Sequence, residues 1–198
     1  MILVFDTETT GLPLFKEPSE HPDQPHLVDI CGLLFDDSGD LVDSFEALVR
    51  PDGWVISEEV SAIHGITHDR AMEEGIPEAE ALSGFMALHE WAGLRVAHNE
   101  QFDARILRIA IKRYRDDEAV ENWAKSPAFC TCNASKPLLK LPPTEKMAKA
   151  GINAYKPPNL AEALKFFTGD EHTNAHRARP DAEACARIYF AMQARAAA

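Results

Sequence analysis

The run Ile2-Leu3-Val4-Phe5 is apolar and β-prone without a break, and it stops at Asp6. Four such residues with no polar alternation are expected of a strand covered on both faces. The turn-like Thr9-Thr10-Gly11-Leu12-Pro13 follows, and the stretch from Pro13 to Pro25, rich in Pro, Glu, Asp and His, reads as an exposed loop. Two further strands are predicted over Leu27–Phe35 and Leu41–Val49, paired as a hairpin through the turn signal Asp36-Asp37-Ser38-Gly39-Asp40. Helical patterning then takes over. A helix is predicted over Ile76–Trp91, with Pro77 near its start. A short strand, Leu94–Ala97, leads into a helix from Asn99 to Arg115, with Asn99 as its cap and Phe102, Ile106 and Ile109 facing the core.

Asp116–Lys125 is polar and reads as a surface connection, and Ala128–Cys130 as a last strand before a helix near Asn133–Leu139. Pro142, Pro143, Pro157 and Pro158 punctuate a loop-rich region. Asn159 then caps a helix reaching Phe167, and a final helix covers Pro180–Ala194 with Ala182, Cys185, Ala186 and Tyr189 on one face. This order predicts an α/β fold with a central mixed five-stranded sheet flanked by helices. The end of the first strand should lie near the middle of that sheet.

A chain of 198 residues suits one domain, 1–198, able to bury a core without disulfide staples. Cys31, Cys130, Cys132 and Cys185 fit neither a zinc ribbon nor a redox pair, and are expected to be reduced core or near-core residues. No secretion signal and no membrane span is recognised, so a cytoplasmic location is expected. The formal charge of −12 argues against a surface that coats nucleic acid, because phosphate contacts need Lys and Arg. It does not exclude chemistry on a few terminal nucleotides, especially where cations neutralise the site.

Asp6 and Glu8 are two apart on a strand, so both carboxylates project from one face. Such a pair repels unless a cation lies between, and oxygen donors suit Mg²⁺ or Mn²⁺. A polar strand end, with Asp6 bound to backbone amides, explains the pair equally well. Asp103 and Asp181 each fall near a helix start, where an acidic residue also simply complements the helix dipole. His176, five residues before Asp181, would by itself be an ordinary exposed histidine.

In combination, these residues point further. Phe5-Asp6-Thr7-Glu8-Thr9-Thr10-Gly11-Leu12, His98-Asn99-x-x-Phe102-Asp103 and His176-x₄-Asp181 resemble, in order, the motifs of the DEDDh (DnaQ-like) exonuclease superfamily. That superfamily includes the proofreading subunit of bacterial DNA polymerase III and RNase T. Ile63-His64-Gly65-Ile66-Thr67 resembles a segment recurring in its proofreading branch. The resemblance implies an RNase H-like fold and a 3′→5′ exonuclease that uses two divalent metal ions to release nucleoside 5′-monophosphates. It implies that Asp6, Glu8, Asp103 and Asp181 hold the ions and that His176 takes a proton from the attacking water. The five-residue gap and Arg177 set it apart from relatives that use tyrosine as the base.

The resemblance further implies that Thr9, Leu12, His64 and Phe102 hold the terminal nucleotide. Phe102 equally fits a core-facing helix residue, His64 a residue that shapes the turn beside Gly65, and Leu12 an exposed apolar residue. The expected partner is the 3′ end of single-stranded DNA, with duplex ends and RNA as alternatives. The loop Pro13–Pro25 is expected at the rim of the site, contacting DNA or shielding the metals. No clamp-binding or polymerase-binding tail is recognised after Asp181, which predicts a free-standing enzyme. An RNA-trimming nuclease and a non-catalytic scaffold on the same fold are the competing readings; five catalytic positions filled by the expected residue types weigh against the scaffold.

Overall fold

The computed structural model describes residues 1–173 and 176–196. Its centre is β1 (Ile2–Thr9), paired antiparallel with β2 (Leu27–Phe35) on one side and parallel with β5 (Leu94–Ala97) on the other. Beyond β2 lies β3 (Leu41–Arg50), antiparallel, and beyond β5 lies β6 (Ala128–Cys130), parallel. The sheet has six strands, not five. Ile76–Pro77, expected to open a helix, forms β4 and pairs with Val49 and Arg50, giving the order β4-β3-β2-β1-β5-β6. Pro77 fits there because an edge position does not need its missing N–H.

The two faces of β1 are sorted by its period of two. Leu3 and Phe5 pack among Leu82, Phe85, Leu107 and Trp123, the layer built by α3 (Glu78–His89), α4 (Glu100–Tyr114) and α5 (Asp117–Lys125). Val4 faces Val96, Cys185 and Tyr189, placing α9 (Ala178–Ala196) on the opposite face. Asp6 and Glu8 continue the Val4 face, so the register of one buried strand carries both carboxylates toward the first turn of α9.

The structure corrects two further sequence expectations. Asp116–Lys125 is not a connection but α5, capped by Asp116, whose side chain accepts from the Ala119 amide. Its polar composition conceals one apolar anchor, Trp123, which is 1% exposed and donates Nε1–H to the Ala104 carbonyl at 3.0 Å. Asn99 precedes α4 but does not cap it by side chain: its backbone is left-handed (φ 67°), a conformation Asn tolerates better than most residues. Between β3 and β4 stand two seven-residue helices the periodicity did not reveal, α1 (Glu58–His64) and α2 (His68–Glu74), capped by Ser57 and Thr67. Helices this short show too few turns for an apolar stripe. The remaining helices are α6 (Thr131–Leu139), α7 (Glu145–Lys149) and α8 (Leu160–Thr168), and Asn159 caps α8 in a reciprocal capping box with Glu162.

The four cysteines are free, three of them buried. No described helix is long and apolar enough to cross a membrane.

The loop between β1 and β2 is tied down from within. Gln24, 1% exposed, accepts from the Leu14 amide at 3.0 Å and donates to the Leu14 and Pro18 carbonyls at 3.1 and 2.9 Å. Arg105 of α4 reaches the Glu17 carbonyl at 2.7 Å and Ser19 at 2.8 Å. At the loop's end, buried Glu78 accepts from the Leu27 amide (2.9 Å), Tyr114 (2.8 Å) and Arg113 (3.2 Å), and bonds His26 at 2.7 Å. These donors hold the Glu78 carboxyl below the usual range despite its burial. Glu78→Ala would leave them without an acceptor, and a loss of about 3–5 kcal/mol in urea denaturation is expected. A loss below about 1 kcal/mol, the worth of an ordinary exposed ion pair, would show that the cluster does not hold the loop.

Candidate active site

Four carboxylates meet at the end of β1. Asp6 and Glu8, both partly open to solvent, come from the strand itself. Asp103, 3% exposed, arrives from the first turn of α4, where its Oδ1 accepts from the Thr7 amide at 3.1 Å and the Thr7 hydroxyl at 2.8 Å. Thr7 points to the opposite face of β1 from Asp6 and Glu8, so it draws the helix carboxylate to the strand's end from the other side of the sheet. Asp181, in the first turn of α9, accepts from the His176 amide at 3.3 Å and bonds His172 Nε2 at 2.6 Å.

The charge balance is lopsided. Asp6 is held well above the ordinary carboxylate range by burial and then by the charges of Asp103, Asp181 and Glu8. Glu8 is pushed up to about 8, first by burial, then by Asp181, Asp29 and Asp103, with Arg177 opposing. Asp103 rises to about 7 through burial, against the Thr7 hydrogen bonds. Asp181 also rises through burial, tempered by His172 and His176. A cluster of acids that raise one another's pKa fits divalent cations, whose charge removes the cause of the shifts. One oxygen of Glu8, one of Asp181 and a ring nitrogen of His176 lie within 4.8 Å of one another, close enough to share an ion.

Beside the carboxylates opens a cleft of about 200 Å³, with Glu8, Thr9, Leu12, His64 and Phe102 in its walls. All four residues expected to hold a nucleotide are therefore brought together, and the alternative readings hold as well. Phe102 also packs on the main core, and Leu12 is 76% exposed. His64 ends α1, and its Nδ1 accepts from the Ile66 amide at 3.1 Å, shaping the turn after Gly65. That bond leaves the proton on Nε2, which is buried with no acceptor among the described residues. Burial, then Arg177 and His176, lower the His64 pKa, so the ring is a neutral donor at the cleft wall.

A family model described as an exonuclease of the RNase T type matches residues 3–189. The chain belongs to this exonuclease family. The chain is 30% identical over 193 residues to the PolC-type DNA polymerase III of Thermotoga petrophila, a match covering 95% of this chain and 11% of the polymerase. It is 27% identical over 192 residues to the Bacillus subtilis counterpart, covering 96% and 11%. It thus spans about a tenth of the length of these curated relatives. Its fold matches E. coli exonuclease I in complex with a 5cy-dT13 oligonucleotide, with a TM-score of 0.73 and 18% identity, over 98% of this chain and 40% of that one. A zinc-bound form of that enzyme with single-stranded DNA matches at a TM-score of 0.70 and 19% identity, over 98% and 41%. The RNase H-like architecture follows from these matches, as the DnaQ-like motifs implied.

Two residues of the candidate site, Asp29 and His172, were not singled out by sequence. Asp29 lies directly across from Glu8 in the β1–β2 register and binds Arg177, while His172 bonds Asp181. The spacing His172-x₃-His176 was available as a signal. The pairing of residues 8 and 29 was not, because it depends on the length and path of an irregular loop.

Proposed function

We propose that this exonuclease removes nucleotides from the 3′ end of single-stranded DNA in the cytoplasm as a single domain, releasing nucleoside 5′-monophosphates. The observation that carries the reading is the convergence of Asp6, Glu8, Asp103 and Asp181, a mutually repelling set, beside a cleft of about 200 Å³. Two divalent cations, Mg²⁺ or Mn²⁺, would be held by these four carboxylates and supply charge stabilisation to the attacking and leaving oxygens. The terminal nucleoside occupies the cleft between Leu12 and Phe102, with the Thr9 backbone and the His64 Nε2–H as polar contacts. His176 takes a proton from the attacking water. The new P–O bond forms as the P–O3′ bond breaks, the leaving oxygen takes a proton from solvent, and the shortened strand ends in a 3′-hydroxyl. The loop Pro13–Pro25 borders the cleft through Leu12 and contacts the strand. Support for DNA comes from the polymerase relatives and from exonuclease I crystallised with DNA oligonucleotides.

The test uses DNA and RNA oligonucleotides of one sequence, labelled at the 5′ end, with Mg²⁺ or Mn²⁺. A ladder that shortens from the 3′ end, faster for DNA, is the expected result. The family's RNase T description favours an RNA-trimming reading as the alternative, and faster RNA shortening would establish it. Intact oligonucleotides under every condition would leave a non-catalytic scaffold.

A further inference from the structure

Asp29 is a buried carboxylate beside the site to which neither the motifs nor the proposed reaction gives a task. It is 4% exposed and sits on β2. A carboxylate so placed needs firm partners, because an unpaired buried charge is costly. Its Oδ2 accepts from Arg177 Nε at 2.9 Å and from the Ala178 amide at 3.3 Å. Ala178 is the first residue of α9, whose leading amides have no partner within the helix. Asp29 therefore supplies from the sheet what a capping residue would supply from the chain.

The residue immediately before this bracket is His176. Its φ of 64° is a left-handed conformation that costs a residue with a Cβ roughly 1–2 kcal/mol. Such a backbone persists only where its surroundings impose it. Two anchors do so: the His176 amide donates to Asp181 Oδ2, and the next two residues are tied to Asp29. The imidazole, exposed to solvent, extends from between them toward Glu8 and Asp181.

We propose that Asp29 is a positioning residue for His176: through Arg177 and the first amide of α9, it fixes the turn that aims the imidazole at the carboxylate cluster. This rests on the reading of His176 as the proton acceptor. Loss of the bracket leaves the carboxylates and the cleft in place and lets the turn relax. The cost therefore falls on kcat, where misplacement of a reacting group by about 1 Å can cost on the order of a hundredfold.

The test is a double-mutant cycle with Asp29→Asn, His176→Ala and the pair, using a single-stranded oligonucleotide with Mn²⁺. Asp29→Asn is expected to lower kcat about tenfold or more, with KM and Mn²⁺ affinity by calorimetry changed less than about twofold. In the His176→Ala background the same substitution should change the residual rate less than about twofold, because its only route to the reaction is gone. An equal loss in both backgrounds would overturn the proposal and make Asp29 a determinant of the fold. A Mn²⁺ affinity weakened about tenfold would overturn it too, placing Asp29 in the metal site. Arg177→Lys breaks the same bracket from the other end and must show the same dependence on His176, which carries the test if Asp29→Asn does not fold. Wild-type protein without nuclease activity would sink the underlying exonuclease reading, and full activity of His176→Ala would sink the proton-acceptor role. Either is seen before the cycle is scored.

Discussion

Asp6→Asn is expected to abolish cleavage while making the metal-free protein more stable. Asp6 lies on the central strand and feels the charges of Asp103, Asp181, Glu8 and Asp29 together, on top of the cost of burial. The amide keeps the shape and removes the charge. The rate should fall on the order of a thousandfold or more, about 4 kcal/mol of barrier. In EDTA, the melting temperature should rise by roughly 2–4 °C, the shift that about 1 kcal/mol produces in a domain of this size. Asp181→Ala should share the loss of rate but not the stabilisation, because His172 and the His176 amide lose their acceptor. Cleavage by Asp6→Asn within tenfold of wild type, or a fall in its melting temperature, would contradict this account of the cluster.

The same electrostatics predicts an unusual pH dependence. In an unfolded chain these side chains ionise near ~4. In the fold, Glu8 holds its proton to about 8 and Asp103 to about 7. Below the unfolded values both states are protonated, and there is no penalty. As pH rises from about 4 toward 8, the unfolded chain releases protons that the folded site retains, so stability falls over that window and then levels. Divalent cations stabilise the ionised form and should cancel the slope. Glu78 has the opposite sign, but its contribution is lost only on acidification below its ordinary range, outside this window; His64, His89 and His98, lowered by burial, oppose the fall inside it, with or without cations. Melting curves between pH 5 and 8 should therefore diverge, the curve with excess Mg²⁺ lying further above the curve in EDTA as the pH rises. Parallel curves would show that these carboxylates do not govern cation binding.

Much of this site is legible in the sequence because the residues that hold it obey local rules. The run ending at Asp6 had to be a covered strand, the alternation to Glu8 followed from its pleat, and Asp181 after Pro180 marked a helix start. What stayed hidden depends on distance along the chain. Asp29 meets Glu8 only through the register of two strands joined by an irregular loop, and Arg177 reaches it only once α9 docks. Trp123 turns a polar-looking segment into a helix by burying one ring. The pair Ile76–Pro77 becomes a strand only because Val49 and Arg50 lie alongside. His64 and Phe102 each supported two readings, and the structure has room for both.

The loop between the first two strands is held by its own backbone. Gln24 and Arg105 secure it almost wholly through main-chain carbonyls and amides, so its shape depends little on which side chains it carries. Phe15, Lys16 and Glu20 face outward from this frame. Evolution, or an engineer, can exchange these three side chains while the frame beneath them keeps its shape.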